Sequence, residues 1–287
     1  GHSEDVKNLV TFVDPATGAL RVATGSEEKT IRVWDAETGS ALLVINVGSG
    51  VNALAFFVDP ATGEPRLACC CYEDVRVFDP VAGGEALLVL DIGDTVRALA
   101  VFKKPATGAP RLACGTKKVG EGGYFSDGDV RVFDPVSGGD ALLEFDVGDS
   151  IVLALVAFED LATGTLRLAS GSEDKTLRVW DASKGGAALR VIPFEDEVKA
   201  LTVGRGMSGL FVAIGKRWGE LRVESGKQQG HSSIVALLEA KAAEERRQRL
   251  AAEAQAAEAE RRRRAAAAKA GVPLKGVYAS AQKALEN

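Results

Sequence analysis

The segment Ser170–Asp181 reads SGSEDKTLRVWD, and a near copy, TGSEEKTIRVWD, occupies Thr24–Asp35. Each begins as the end of one β-strand, passes a short polar turn, and continues as a second strand with alternating apolar residues. Ile31 and Val33, like Leu177 and Val179, fall on one face, with Arg32 and Arg178 on the other. A hairpin of this kind buries only one face and is at best marginally stable alone. Repetition can supply the missing partner, so the period decides the fold.

Four markers measure that period. The aromatic-Asp pair recurs as Trp34-Asp35, Phe78-Asp79, Phe133-Asp134 and Trp180-Asp181, at intervals of 44, 55 and 47 residues. The turn DPATG at Asp14 returns as DPATG at Asp59, KPATG at Lys104 and DLATG at Asp160. An apolar run starts at Ala41, Ala86, Ala141 and Ala188, and another strand signal at Val6, Val51, Val96, Val152 and Val198. Four strand signals per unit of this length describe a four-stranded antiparallel sheet used as one propeller blade, for which about 40–45 residues are usual.

On the residues GH, LASGSEDKT and RVWD, residues 1–225 resemble the WD-repeat β-propeller family. The resemblance implies an all-β propeller of about five four-stranded blades over residues 1–230. The blades would span about 1–47, 48–92, 93–147, 148–194 and 195–230 or 195–238. In that family a blade is often braced by a His in the loop entering it, a Ser or Thr on the second strand, an Asp in the next turn, and the Trp. His2, Thr24 and Trp34 match in blade one, with Glu28 where an Asp is usual. Ser170, Asp174 and Trp180 match in blade four, with Asp149 in the place of the His. Phe78 and Phe133 replace the Trp in blades two and three and remove its N–H donor. The ring either closes through Val6–Phe12 against Val198–Val203 or stays an open arc. The abrupt start at Gly1-His2-Ser3 suits a fragment or a processed product.

Residues 198–204, 210–214 and 221–223 read as the first three strands of blade five, with Glu224 in the place of the Trp. Residues 232–238 fit two readings, the outer strand of that blade or the first turns of a helix capped by Ser232 or Ser233. The second is preferred, because nothing interrupts a helical pattern from Ile234 to Ala270. A long Ala/Glu/Arg helix is therefore expected over 231–270, supported by i,i+4 pairs such as Glu245–Arg249 and Glu258–Arg262. Leu250 alone could serve a hydrophobic seam, which argues against a coiled coil. Residues 271–287 follow as a short docking segment.

Charge is divided unevenly. Residues 1–230 carry a net −9 and residues 231–287 a net +4, so the repeat region is a poor nucleic-acid binder. The exception is the run Arg261, Arg262, Arg263 and Arg264, which suits contacts with an acidic protein or with RNA phosphates. No apolar run approaches the ~20 residues that span a bilayer, and no membrane insertion is expected.

Chemistry is sparse. Cys69 and Cys114 fall in the slot held by Thr24 and Ser170, while Cys70 and Cys71 point to opposite faces of a strand and cannot chelate together. The four cysteines are expected as small, reduced, buried residues, which suits an intracellular, cytoplasmic protein. With His2 and His231 as the two histidines, no Ser/His/Asp set assembles, and GEGGYFSDG lacks the Lys-Ser/Thr of a phosphate loop. Asp94 and Asp149 suit turn capping. No enzyme activity, cofactor or metal is expected.

Two upper loops remain as candidate protein-binding features. Between Cys114 and Val130 blade three carries nine residues more than blade four, including Tyr124 and Phe125. In blade five, Arg217 and Trp218 fall in the corresponding turn. Aromatic and Arg residues on loops of a rigid scaffold are favoured interface anchors. The functional reading is a non-enzymatic interaction scaffold or assembly subunit with the helix as an extended arm. The alternative is an RNA-contacting subunit of a ribonucleoprotein.

Overall fold

The computed structural model describes residues 1–118, 128–148, 150–160, 163–203, 210–214 and 217–221. The long helix, the docking segment, Asp149, Tyr124, Phe125 and Arg261–Arg264 lie outside these. The described chain is all-β. Sheet one is β1 (Val6–Val13), β2 (Leu20–Ser26), β3 (Thr30–Asp35) and β4 (Ala41–Asn46). Sheet two is β5 (Leu54–Val58), β6 (Pro65–Cys71), β7 (Asp74–Phe78) and β8 (Leu88–Asp91). Sheet three is β9 (Thr95–Lys103), β10 (Pro110–Lys117), β11 (Asp129–Phe133) and β12 (Leu143–Asp146). Sheet four is β13 (Val152–Asp160), β14 (Thr165–Ser172), β15 (Thr176–Asp181) and β16 (Arg190–Pro193). A fifth sheet contains three strands, β17 (Val198–Val203), β18 (Leu210–Ile214) and β19 (Arg217–Leu221). Within each sheet, strands pair antiparallel in chain order.

The turns follow from short side-chain chemistry. In the first ATG turn the Asp14 carboxylate accepts the Ala16 N–H at 3.0 Å, and Gly18 closes the turn at a positive φ of 71°. After each third strand the aromatic-linked Asp does the same. Asp35 accepts the N–H groups of Glu37 and Thr38, Asp79 those of Val81 and Ala82, and Asp134 those of Val136 and Ser137. Arg21 pairs with Asp35 and Arg111 with Asp134 across the neighbouring strand. The Asp of each repeat is thus a turn clamp, tied back to the second strand where that strand's Arg reaches it.

Each sheet has two unlike faces. The aromatic face carries a Val at or just before the head of the first strand, a Leu three residues on, and Trp34 or its equivalent. The aliphatic face carries residues such as Ala23, Ile31, Val33 and Ile45. Three cores are built the same way, the aliphatic face of one sheet against the aromatic face of the next. Phe12, Ala23, Ile31 and Val33 of sheet one meet Val51, Leu54, Leu67 and Phe78 of sheet two. Ala68, Val75 and Val77 meet Val96, Leu99, Leu112 and Phe133. Ala113, Val130, Val132 and Phe145 meet Val152, Leu155, Leu168 and Trp180.

A one-residue register shift just after the Val, between Val96 and Ala98 in sheet three and between Val152 and Ala154 in sheet four, aims that side chain at the preceding sheet. There it sits over a residue with no Cβ. A Cβ built at Gly115 would stand 2.5 Å from Val152 Cγ1, and Gly25 and Gly171 are similarly filled by Val51 and Val198. Cys70 occupies this slot in sheet two, in the core that also buries Val96. Arg76 and Arg131 complete their junctions by donating to the Val47 and Ile92 carbonyls of the preceding sheet, at 2.6 and 2.7 Å.

One expectation changes, and one of two alternatives is not met. The third strand of blade five is Arg217–Leu221 instead of 221–223. Arg217 pairs with Ile214 and Trp218 with Ala213, so both belong to a strand and not to an upper loop. The register leaves only Gly215 and Lys216 between the strands, whereas the longer loop reading treated the Arg-Trp pair as turn residues. Closure through Val6–Phe12 is also not found. β5, β9 and β13 each have an inner strand on either side, but no comparable packing joins β1 to β17 among the described residues.

The junctions predict an asymmetry. Gly115→Ala should destabilise the chain by about 1–3 kcal/mol through overpacking, and Val152→Ala should recover part of that loss. Val6→Ala, on the uncovered first sheet, should change stability by less than about 0.5 kcal/mol. Urea unfolding of the three variants and the double variant measures both.

Candidate protein-interaction surface

The first sheet brings His2, Thr24, Glu28 and Trp34 together. Trp34 Nε1 donates to Thr24 Oγ1 at 2.8 Å. His2 stands 2.7 Å from the same hydroxyl through Nε2 and 2.6 Å from Glu28 Oε1 through Nδ1. With Nδ1–H donating to the carboxylate and the indole to the hydroxyl, the hydroxyl can donate to Nε2 or to the Arg32 carbonyl 3.3 Å away. Glu28 also accepts the Ser3 N–H at 2.6 Å, the Thr30 hydroxyl at 2.6 Å and Arg32 Nε at 3.0 Å. The Ser3 N–H above all, then Thr30, holds its carboxyl well below the usual range. The order hydroxyl, imidazole, carboxylate is that of a nucleophilic relay. Here the indole occupies the hydroxyl oxygen, and the network pins residues 2 and 3 to the sheet.

Sheet four differs. Among the described residues Ser170 Oγ and Trp180 Nε1 are buried without a hydrogen-bond partner, and Asp174 bonds Thr176 and Arg178 instead. Ser170, Asp174 and Trp180 therefore make no joined network. Trp180 contributes volume, packed edge-on to Phe145 at 5.6 Å between ring centroids.

All four cysteines are free thiols and buried. Cys69 and Cys71 share a face with their sulfurs 3.4 Å apart, whereas Cys70 points into the next core, where burial pushes its thiol up to about 12. Among the described residues no group of three His, Cys, Asp or Glu side chains is placed to hold a metal ion. No helix among them is long and apolar enough to cross a membrane. At the long connection of sheet three, Lys118 pairs with Asp129 at 3.0 Å, while Tyr124 and Phe125 fall outside the described residues.

The surface that sequence reasoning missed is the aromatic face of sheet one. Leu9 is 60% exposed, whereas its equivalents Leu54, Leu99 and Leu155 are at most 9% exposed. Val6 is 49% exposed, and Val51, Val96, Val152 and Val198 are wholly buried. Val13 and Leu20 are exposed beside them, and Trp34 is half-buried. Arg32, the equivalent of the bridging Arg76 and Arg131, turns back to Glu28 of its own sheet. No residue signal marks it: Val6 and Leu9 are spaced as in the buried junctions, and only the lack of a described sheet before sheet one sets them apart.

Two segments, residues 1–35 and 156–181, match the family model of the WD domain, G-beta repeat. The chain carries WD repeats. The first match covers three strands of sheet one with its brace, and the second runs through Trp180 of sheet four. No curated protein matches the chain well enough to count as a relative. WD repeats generally mediate protein–protein interaction and scaffolding.

Two substitutions separate the WD aromatics. Trp34→Phe should cost about 1 kcal/mol by removing a made hydrogen bond, while Trp180→Phe, which deletes an orphan donor, should be neutral within about 0.5 kcal/mol or stabilising; chemical denaturation reads the difference. The Glu28 brace should also be pH-dependent. Its folded-state pKa is depressed, so its contribution is complete above the ordinary glutamate value of about 4.3 and is lost as pH falls below it. The melting-temperature gap between wild type and Glu28→Gln should be constant near neutral pH and narrow below about pH 4.

Proposed function

We propose that the chain is a non-enzymatic assembly subunit whose WD sheets form a rigid binding platform, working in the cytoplasm without a cofactor. The observation that carries this reading is the uncovered aromatic face of sheet one. Val6, Leu9 and Leu20 occupy one side of a sheet whose equivalents in the next three sheets are buried or packed against the core. Fully burying a Leu or Val is worth roughly 1.5–3 kcal/mol, so three half-exposed side chains leave about 3 kcal/mol unrealised. Contiguous apolar surface of this kind marks an interaction site.

A second contact is assigned to the long connection between β10 and β11. The ATG turns repeat almost unchanged from sheet to sheet, which suits turn formation, whereas Tyr124 and Phe125 occur once, as a specific contact requires. Residues 231–270, with Arg261–Arg264, serve in this reading as a charged arm toward an acidic protein surface.

Affinity purification from the native source tests the reading. Leu9→Glu with Leu20→Glu should remove the protein chains that co-purify through sheet one. Tyr124→Ser with Phe125→Ser should remove a distinct subset, with the thermal melt unchanged in both cases. An undiminished set of co-purifying proteins in both variants would refute the assignment.

A further inference from the structure

We infer that Cys69 and Cys71 form a dithiol redox site, oxidised by hydroperoxides to a disulfide within one strand of sheet two. The inference goes beyond the reading of the chain as an assembly subunit and does not rest on it.

Among the first four sheets, sheet two alone carries thiols at both positions. The equivalent pair on the second strand is Thr24 and Ser26 in sheet one, Cys114 and Thr116 in sheet three, and Ser170 and Ser172 in sheet four. In sheet four the Ser172 hydroxyl donates to Ser150 Oγ at 2.7 Å. Ser49 is the counterpart of Ser150, and its Oγ is buried beside Cys71 with no hydrogen-bond partner among the described residues. That hydroxyl is an unused donor for a thiolate at Cys71.

The two sulfurs are 3.4 Å apart. Arg76 pairs with Cys69 across the strand and brings a guanidinium to the same face. The hydrogen bond from Cys69 lowers the Cys71 pKa, and the same bond together with burial raises that of Cys69. Cys71 is also the outer of the two, 3% exposed against 0%. Ser49 and Tyr72, its neighbours in space and in sequence, line an open cavity of about 370 Å³. Cys71 is therefore the nucleophile and Cys69 the thiol that resolves it.

The Cys71 thiolate attacks the outer oxygen of the hydroperoxide. The O–O bond breaks, and the departing alkoxide takes up the thiol proton to leave as an alcohol. The Cys69 sulfur then attacks the sulfenic sulfur of Cys71; the S–S bond forms, the S–O bond breaks, and hydroxide leaves with the Cys69 proton as water. Two thiols and one hydroperoxide give one disulfide, one alcohol and one water, with two electrons passing from sulfur to oxygen. Residues two apart on a strand have Cα atoms about 6.6 Å apart, near the upper limit of about 6.8 Å for a disulfide. The bond is strained, so a monothiol such as glutathione returns it to the dithiol.

Thiol counting and mass spectrometry on the reduced full-length chain test the inference. Stoichiometric hydrogen peroxide, then acid quenching and alkylation, should leave two of the four thiols and a mass lower by two hydrogens. The tryptic peptide Leu67–Arg76 should carry a single label, on Cys70, and glutathione should restore all four thiols. Cys69→Ser should stop at a sulfenic acid on Cys71 that a 1,3-diketone probe captures, whereas Cys71→Ser should leave Cys69 a thiol. Both substitutions place hydroxyls where sheet four buries Ser170 and Ser172, so the sheet stays folded by circular dichroism. Four thiols retained after peroxide, a disulfide joining Cys70 to Cys114, a cross-link between chains, or a disulfide that glutathione leaves intact would each overturn the inference. None of these readouts involves a partner protein, so the assembly reading stands or falls separately.

Discussion

The junctions depend on one contact, a valine of one sheet lowered onto a position of the preceding sheet that is a glycine at three junctions and Cys70 at the fourth. The register shift beside the valine aims it, and the glycine admits it. Once it is seated, the Leu and the aromatic of the same face come to van der Waals distance of the preceding sheet's Ala, Val and Ile. The Arg on the third strand then reaches a carbonyl across the gap. The hydrophobic gain is collective, but the valine fixes the register in which it is collected. A Cβ at Gly25, Gly115 or Gly171 would meet the seated valine at 2.4–2.5 Å, so the valine or its sheet would have to give way.

That dependence explains why the polar brace can be uneven. In sheet one, four side chains join in a continuous network around Thr24, and the carboxylate of Glu28 gathers donors from three directions. In sheet four, the Ser and Trp are present and buried but unjoined. Sheets two and three have Phe in place of Trp and bury it just as deeply. A hydrogen-bonded network contributes roughly 1 kcal/mol per bond net of water, while each junction buries a dozen apolar side chains. The junction governs whether a sheet stays in line.

Much of this was legible in the sequence, because the evidence was periodic. Alternation within SGSEDKTLRVWD gives the hairpin, and the markers spaced by 44 to 55 residues give the repeat and its four strands. The placement of the cysteines followed from alignment of the slots: Cys69 and Cys114 lie opposite Arg76 and Arg131 as Thr24 and Ser170 lie opposite Arg32 and Arg178. Reading failed where the period weakens. Arg217 and Trp218 resembled a turn because Gly215-Lys216 and Gly219 surround them with turn-forming residues, yet pairing with Ala213 and Ile214 makes them a strand. The unjoined Ser170 and Trp180 could not be foreseen, since residue identity says nothing of whether a donor and an acceptor reach each other. The open face of sheet one was invisible for a related reason. Val6 and Leu9 are spelled like their buried equivalents, and only neighbours in space distinguish them.

The interchangeable joint has a consequence for how such a chain can drift over generations. A unit that fits through its valine, its glycine slot and its aliphatic face is free to lose the residues by which it is recognised. Phe78 and Phe133 stand where the signature tryptophan would be, and the sheets that contain them lie between the two stretches that the WD family model matches. Those inner units carry the joint without the signature. Duplication can therefore lengthen such an array and mutation can erase its spelling, while the architecture persists in the geometry of its seams.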